Sequence, residues 1–213
     1  MPARYVRYTV VGWHNHISMR AAVLLLVGGG KVSNPSFEQD SVEAASGREH
    51  RLPTSWDGNG SVAIVQNESS GGGGLSSGRG SQFVQLQSRG SFVAQALTAL
   101  TPGRDYILTF LVAGRVGLWS ANATVALVVS AGGMPILTAA IEANTDFTEY
   151  GAAFHADNLS VTVRFENDAS CNGSIFIDDV SASEDTGGHS KHPHLEHTSP
   201  WLLAALRVRQ PEC

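Results

Sequence analysis

Apolar and polar residues alternate along three successive stretches between residues 82 and 113. In the first, Val84 and Leu86 alternate with Phe83, Gln85 and Gln87. In the second, Val93, Gln95 and Leu97 share a side. In the third, Tyr106, Leu108, Phe110 and Val112 form one face, and Ile107, Thr109 and Leu111 form the other. Successive side chains of a strand point to opposite faces, so this period buries one side of an antiparallel sheet. Arg89-Gly90 and Thr101-Pro102-Gly103 separate the stretches with residues suited to tight reversals, Gly for positive φ and Pro for a preset φ.

The rest of the chain repeats the theme. Residues 31–39 (KVSNPSFEQ) read as a short strand with a polar turn, and residues 52–60 as turn chemistry around Trp56, followed by a strand over 61–66. Residues 69–80 are rich in Gly and Ser. They read as a flexible loop and not a phosphate cradle, because the Gly-Lys-Ser/Thr ending and its helix are missing. Residues 124–130 form another strand, and 134–143 a strand or a short helix. Residues 147–154 and 159–165 form an expected hairpin, with Leu159, Val161, Val163 and Phe165 toward the core and Thr162 and Arg164 outward. Residues 174–181 are the last strand. Eight or nine antiparallel strands at roughly ten-residue spacing predict an all-β chain, a sandwich or jelly roll. The expected division is an N-terminal extension over 1–30, one sandwich domain over 31–184, and a tail over 185–213.

Composition narrows the function classes. Of 213 residues 15% are charged, the net charge is −5, and there is no basic stripe for phosphate backbones, so nucleic acid is not an expected partner. Met19-Arg20, the apolar run over 21–27 and Gly28-Gly29-Gly30 are the parts of a secretory signal over 19–30, with Met1 or Met19 as the start. The alternative is that residues 23–27 are a first buried strand. The run falls short of the roughly 20 apolar residues that a membrane span needs. Asn59, Asn67, Asn122, Asn158 and Asn172 each begin an Asn-x-Ser/Thr triplet, where the Ser and Thr content would give about 1.5 by chance. Gly/Ser/Asn-rich loops also generate such triplets. The expectation is a secreted or cell-surface glycoprotein. Cys171 and Cys213 fit either a disulfide or two free thiols. His189, His192, His194 and His197 lie in a tail that reads as disordered and solvated, since a zinc or copper site there would lack a scaffold and a second shell.

Two motifs stand at opposite ends of the domain: Asn34-Pro-Ser-Phe-Glu38 followed by Trp56, and Phe176-Ile-Asp-Asp-Val180. Between them lies GSFVAQALTALTPGRDYILTFLVAG. In order and spacing this layout resembles the galactose-binding-like jelly-roll family, which includes carbohydrate-binding modules of glycoside hydrolases and related domains of plant cell-wall proteins. The resemblance covers about 150 residues. It implies a jelly-roll β-sandwich and a structural Ca2+ site where the first and last strands meet, held by Glu38 and Asp178, with Asp179 as alternative. Oxygen-rich ligation by carboxylates and carbonyls suits calcium. Alternatively, Glu38 caps a turn and the Asp pair sits at a solvated strand edge.

For a glycan, candidate contacts are Trp119 as a stacking platform, with Gln85, Gln87, Arg164 and Thr162 reading hydroxyls. Trp56 matches a position that is usually core in that family. No nucleophile elbow, His-Glu-x-x-His or supported Cys-His arrangement occurs. Asp178 and Asp179 are adjacent and would face opposite ways on a strand, so they make no acid/base pair. His155 reads as structural. The expected function is a non-catalytic extracellular carbohydrate-binding module, monomeric, recognising polysaccharide or glycan. The alternative is a structural or adhesive cell-surface or cell-wall protein that uses the same sandwich for protein contacts.

Overall fold

The computed structural model describes residues 30–59, 61–116, 124–142, 146–169 and 173–186. Residues 19–29 of the expected signal segment, Trp119, Asn122, Cys171, Asn172, Cys213 and the His-rich tail lie outside them.

Eleven strands run in chain order: β1 (Arg48–Glu49), β2 (Asp57–Gly58), β3 (Val62–Gln66), β4 (Gln82–Leu86), β5 (Phe92–Leu97), β6 (Arg104–Val116), β7 (Thr124–Ala131), β8 (Met134–Glu142), β9 (Thr148–Ala156), β10 (Val161–Asn167) and β11 (Gly173–Glu184). They form a six-stranded sheet in the order β1-β3-β4-β11-β6-β9 and a five-stranded sheet in the order β2-β5-β10-β7-β8. All pairings are antiparallel. The fold is the expected jelly-roll sandwich, and the residues over 134–142 are strand, not helix.

Three local expectations are corrected. The alternating stretches over 82–113 do not pair with one another: β4 and β6 lie in one sheet and β5 in the other. Likewise β9 pairs with β6 while β10 pairs with β5 and β7, so the hairpin expected from residues 147–165 is a crossing between layers. Leu159 belongs to that crossing and is 68% exposed. Alternation identifies a strand and its buried face but carries no information about its neighbour. The third strand of the original trio keeps its parity, with Tyr106, Leu108, Phe110 and Val112 all buried.

The core between the sheets is centred on aromatic rings. Phe165 from β10 meets Phe110 from β6 edge-on at 4.9 Å and Trp56 at 6.2 Å, and Trp56 meets Phe37 at 5.4 Å. Offset and edge-to-face rings at such distances add to the area they bury. A second cluster lies on the opposite side of the six-stranded sheet. Ala63, Val65, Phe83, Ala113 and Phe176 pack there beneath Leu75 and Phe147. The glycine- and serine-rich segment over 69–81 therefore covers that outer face, with a single 3-10 turn at Ser70–Gly72 capped by Ser69. This double burial explains why every residue of β4 is buried.

Replacing Phe165 with Ala should lower the unfolding free energy by about 3–5 kcal/mol. Leu159→Ser should change it by less than about 0.5 kcal/mol. Urea titration followed by tryptophan fluorescence measures both, and equal effects would place the core elsewhere.

Candidate functional site

The turn that precedes the first ladder carries most of the buried polar chemistry. Asn34 and Phe37 hold positive φ angles of 49° and 61°. The Asn34 side chain donates to Asp40 Oδ2 and to the Thr54 carbonyl, both at 3.0 Å, and accepts from Gln39 N at 3.1 Å. The Trp56 indole donates to the Asn34 carbonyl at 3.1 Å, which makes Trp56 a buried structural residue. The same turn meets the last strand: Val180 N donates to the Pro35 carbonyl at 2.9 Å.

The three residues expected to hold calcium gather around that junction but do not play equal parts. Glu38 accepts from Ser81 N at 2.8 Å, Ser81 Oγ at 2.5 Å and Gln82 N at 3.0 Å, clasping the start of β4. Asp178 is fully buried, and its Oδ2 has no hydrogen-bond partner. Burial pushes its carboxyl up to about 7; the hydroxyl of Ser77 and the Asp179 N–H pull it down without offsetting this, and the negative charges of Asp179 and Glu38 push it further up. Asp179 takes a positive φ of 49° at the irregularity between Asp178 and Ser181, and its exposed carboxylate lies 3.7 Å from Arg79 Nε. The charge of Glu38 acts on the Asp178 carboxyl, whose orphaned oxygen is of the kind a hard cation takes as ligand. Among the described residues no group of three or more His, Cys, Asp or Glu is placed to hold a metal.

The expected glycan contacts are separated by the sandwich. Gln85 lies on β4 in the six-stranded sheet and Gln87 just beyond its end, whereas Arg164 lies on β10 in the other. Gln85 is buried and donates to Ser174 Oγ at 3.0 Å, and Gln87 donates to Gln85 Oε1 at 3.3 Å. The two glutamines are thus bonded to one another, with Gln85 buried and Gln87 half-buried.

Arg164 stands on the outer face of the five-stranded sheet, where Thr162, Ala96 and Thr138 are exposed. Its guanidinium carbon sits 3.5 Å from the centroid of the Phe92 ring. Its Nε and Nη2 donate to Glu166 Oε2 at 3.0 and 2.8 Å. The register makes this possible, because Phe92 lies directly opposite Glu166 on neighbouring strands. Phe92 and Glu166 were not singled out from the sequence, yet the signal was there: Phe92 has the parity opposite to buried Val93, and Arg164 and Glu166 are two apart on one strand face.

Of the sequons, Asn158 is exposed in the turn between β9 and β10. The amide nitrogens of Asn59 and Asn67 donate to the carbonyls of Gly90 at 2.7 Å and Gly80 at 2.8 Å. His155 faces outward on β9, and its bond to Asp105 at 2.8 Å raises its imidazole above the ordinary value.

Several solved structures are similar to the chain at low identity. A xylan-binding domain of the CBM22 type is 12% identical with a TM-score of 0.49, the match covering 73% of this chain and 95% of that one. The CBM22-1 xylan-binding domain of a Paenibacillus barcinonensis xylanase is 14% identical with a TM-score of 0.44, covering 70% of this chain and 90% of the other. A Clostridium thermocellum xylanase fragment with CBM22-1 and catalytic modules is 15% identical with a TM-score of 0.46, covering 61% of this chain and 26% of that chain. All three scores lie below 0.5, and the family assignment does not rest on them. No curated protein matches the chain. Residues 30–180, which run from the start of the described sandwich to the Asp-Asp-Val strand, match the family described as Protein of unknown function (DUF642), and the chain belongs to that family.

Proposed function

We propose that this protein is a non-catalytic, extracellular carbohydrate-binding module whose glycan site is the outer face of the five-stranded sheet around Arg164, Phe92 and Glu166. The observation that supports this reading is the state of Arg164, stacked on an aromatic ring and tied to a carboxylate on a face that no described element covers. A guanidinium fixed in advance offers directed N–H donors to sugar hydroxyls without paying to order a long side chain. Glu166 supplies an acceptor beside it, and the apolar atoms of Phe92, Ala94 and Val128 supply a floor for C–H faces. Thr162 and Ser130 flank Arg164 with hydroxyls on neighbouring positions. On the full chain, a glycan array should give defined signals. Arg164→Gln and Phe92→Ala should each weaken them by about tenfold or more, with Gln85→Ala leaving them in place. Signals indifferent to Arg164 and Phe92, or no bound glycan, would favour the adhesive reading instead.

The same reading includes a structural calcium ion bound by Asp178 and Glu38 with nearby backbone carbonyls. The support is the buried orphan oxygen of Asp178, which a cation would satisfy. Without a cation, unfolded Asp178 loses its proton near 3.8, but the folded group holds it to about 7. The unfolded state then binds fewer protons through that window, so stability falls as pH rises from about 4 to about 7, by up to roughly 4 kcal/mol, and levels off above it. In chelator, melting temperature should show this decline. Calcium at pH 7.5 should raise it by several degrees, and Asp178→Asn should flatten the pH profile and remove the calcium response. Melting of the unsubstituted chain that ignores calcium removes the ion from the account; a flat pH profile removes the buried charge.

A further inference from the structure

Arg51, Arg79, Arg89, Arg104 and Arg164 each face a carboxylate. Among the described residues, Arg48 and Arg115 do not. These two arginines come from opposite parts of the six-stranded sheet, β1 and β6, and each lies against the loop over 69–74. Two glycines let the loop sit on them. A Cβ at Gly71 would lie 2.6 Å from Arg48 Cβ, and one at Gly73 would lie 2.6 Å from Arg115 Nη1. Like charges brought together without a counter-ion repel, and water cannot screen what burial shields. Burial, and then the charge of Arg115, hold the Arg48 guanidinium below its ordinary value.

Arg48 opens onto a cavity of about 330 Å3 lined also by Ser46, His50, Ser70 and Gly71. Its Nη2 lies 3.0 Å from His50 Nε2, while its Nε is shut away from solvent with no acceptor. The backbone donors of the loop are already used: Gly71 N bonds the Ser46 carbonyl, Gly73 N the Ser70 carbonyl and Gly74 N the Ser69 carbonyl. What the cavity lacks is a negatively charged acceptor, and what it offers is guanidinium, imidazole and hydroxyl groups. We propose that this cavity at the β1 edge, lined by Arg48 and His50 with Arg115 under the same loop beside it, is a binding site for a small oxyanion, a carboxylate or phosphate group. A planar or tetrahedral oxyanion in the cavity takes N–H bonds from the terminal nitrogens of the Arg48 guanidinium and offsets its repulsion from Arg115. The volume is within the range of small-ligand sites and admits a sugar acid as well as a free inorganic anion. The cavity lies on the six-stranded sheet, away from Arg164, and does not depend on the glycan reading.

Isothermal titration of the full chain with sodium glucuronate, inorganic phosphate and neutral glucose tests this. At least one anion should bind at one site and glucose should not. Arg48→Gln and Arg115→Gln should each weaken the anion by about tenfold, with Arg164→Gln within about twofold of the unsubstituted chain. Glucuronate without phosphate assigns the site to a sugar acid, and phosphate without glucuronate to an inorganic anion. Binding of neither, equal binding of glucose, or anion binding that survives Arg48→Gln overturns the proposal. Should the Arg48 variant fail to fold, the arginine Nε–Hε resonances of the unsubstituted chain read the same point. Anion addition must then shift Arg48 and Arg115, and no shift at either sinks the site.

Discussion

The sandwich depends on a rule about backbone polarity: a segment buried without a sheet ladder must find every hydrogen bond elsewhere. The stretches over 33–40 and 53–56, on either side of the short β1, bury such backbone at Asn34, Phe37, Asp40 and Trp56. Gln95 of the five-stranded sheet donates to the carbonyls of Ser33 at 2.9 Å and Ser55 at 2.7 Å and accepts from Ser33 N at 2.7 Å. Gln82 of the six-stranded sheet donates to the carbonyls of Phe37 and Asp40. Desolvation pushes Asp40 up, but bonds from Thr54, Arg51 and Asn34 outweigh it and hold the carboxyl below its ordinary value. These stretches are thereby fastened to both layers through three amide side chains and a carboxylate. This fixes Phe37 and Trp56 in the core and Pro35 against Val180, and so places Glu38 near Asp178.

The two outer faces have different fates because of what lies over them. The six-stranded sheet carries Phe83 and Phe176 outward, and such apolar surface must be covered. The segment over 69–81 and Phe147 do so, which also buries Gln85. The five-stranded sheet carries Arg164, Glu166, Thr162 and Thr138 outward and is left uncovered by the described residues. The proposed glycan surface therefore lies on the five-stranded side for reasons of patterning, with Arg164 as its directional donor.

Much of this was legible from the sequence. Period-2 alternation located the long strands and their buried parity, and the paired Asn34-Pro-Ser-Phe-Glu38 and Phe176-Ile-Asp-Asp-Val180 motifs indicated the jelly roll. Strand partners were not legible, because neighbours in a jelly roll are set by crossings between layers, which leave no local mark. The same blindness put Gln85, Gln87 and Arg164 into one site when they stand on different sheets. Gln85 also looked like a solvated residue because its polarity suggested an open face. Its burial follows from Phe83 and Phe176, two strands' worth of context that parity alone does not supply. The Arg48–Arg115 pairing was beyond sequence reach for a simpler reason: 67 positions separate them, and a loop of glycines read as flexible turns out to be seated on both.

A fold that satisfies its buried polar groups this thoroughly makes the exceptions informative. Three buried side-chain atoms stand without a hydrogen bond among the described residues: Arg48 Nε, Arg51 Nε and Asp178 Oδ2. Arg51 Nε still lies 3.1 Å from a Glu49 oxygen, so its charge is answered. The remaining two have opposite sign and each faces a like charge, Asp178 with Glu38 and Arg48 with Arg115. Repulsion retained beside an atom shielded from water costs free energy that a neutral residue of similar size would avoid. The two defects therefore call for two different counter-charges, a cation at the β11 junction and an oxyanion at the β1 edge. The Arg164 face needs neither, because Glu166 already neutralises it; that is the electrostatic character suited to a neutral, hydroxyl-rich ligand.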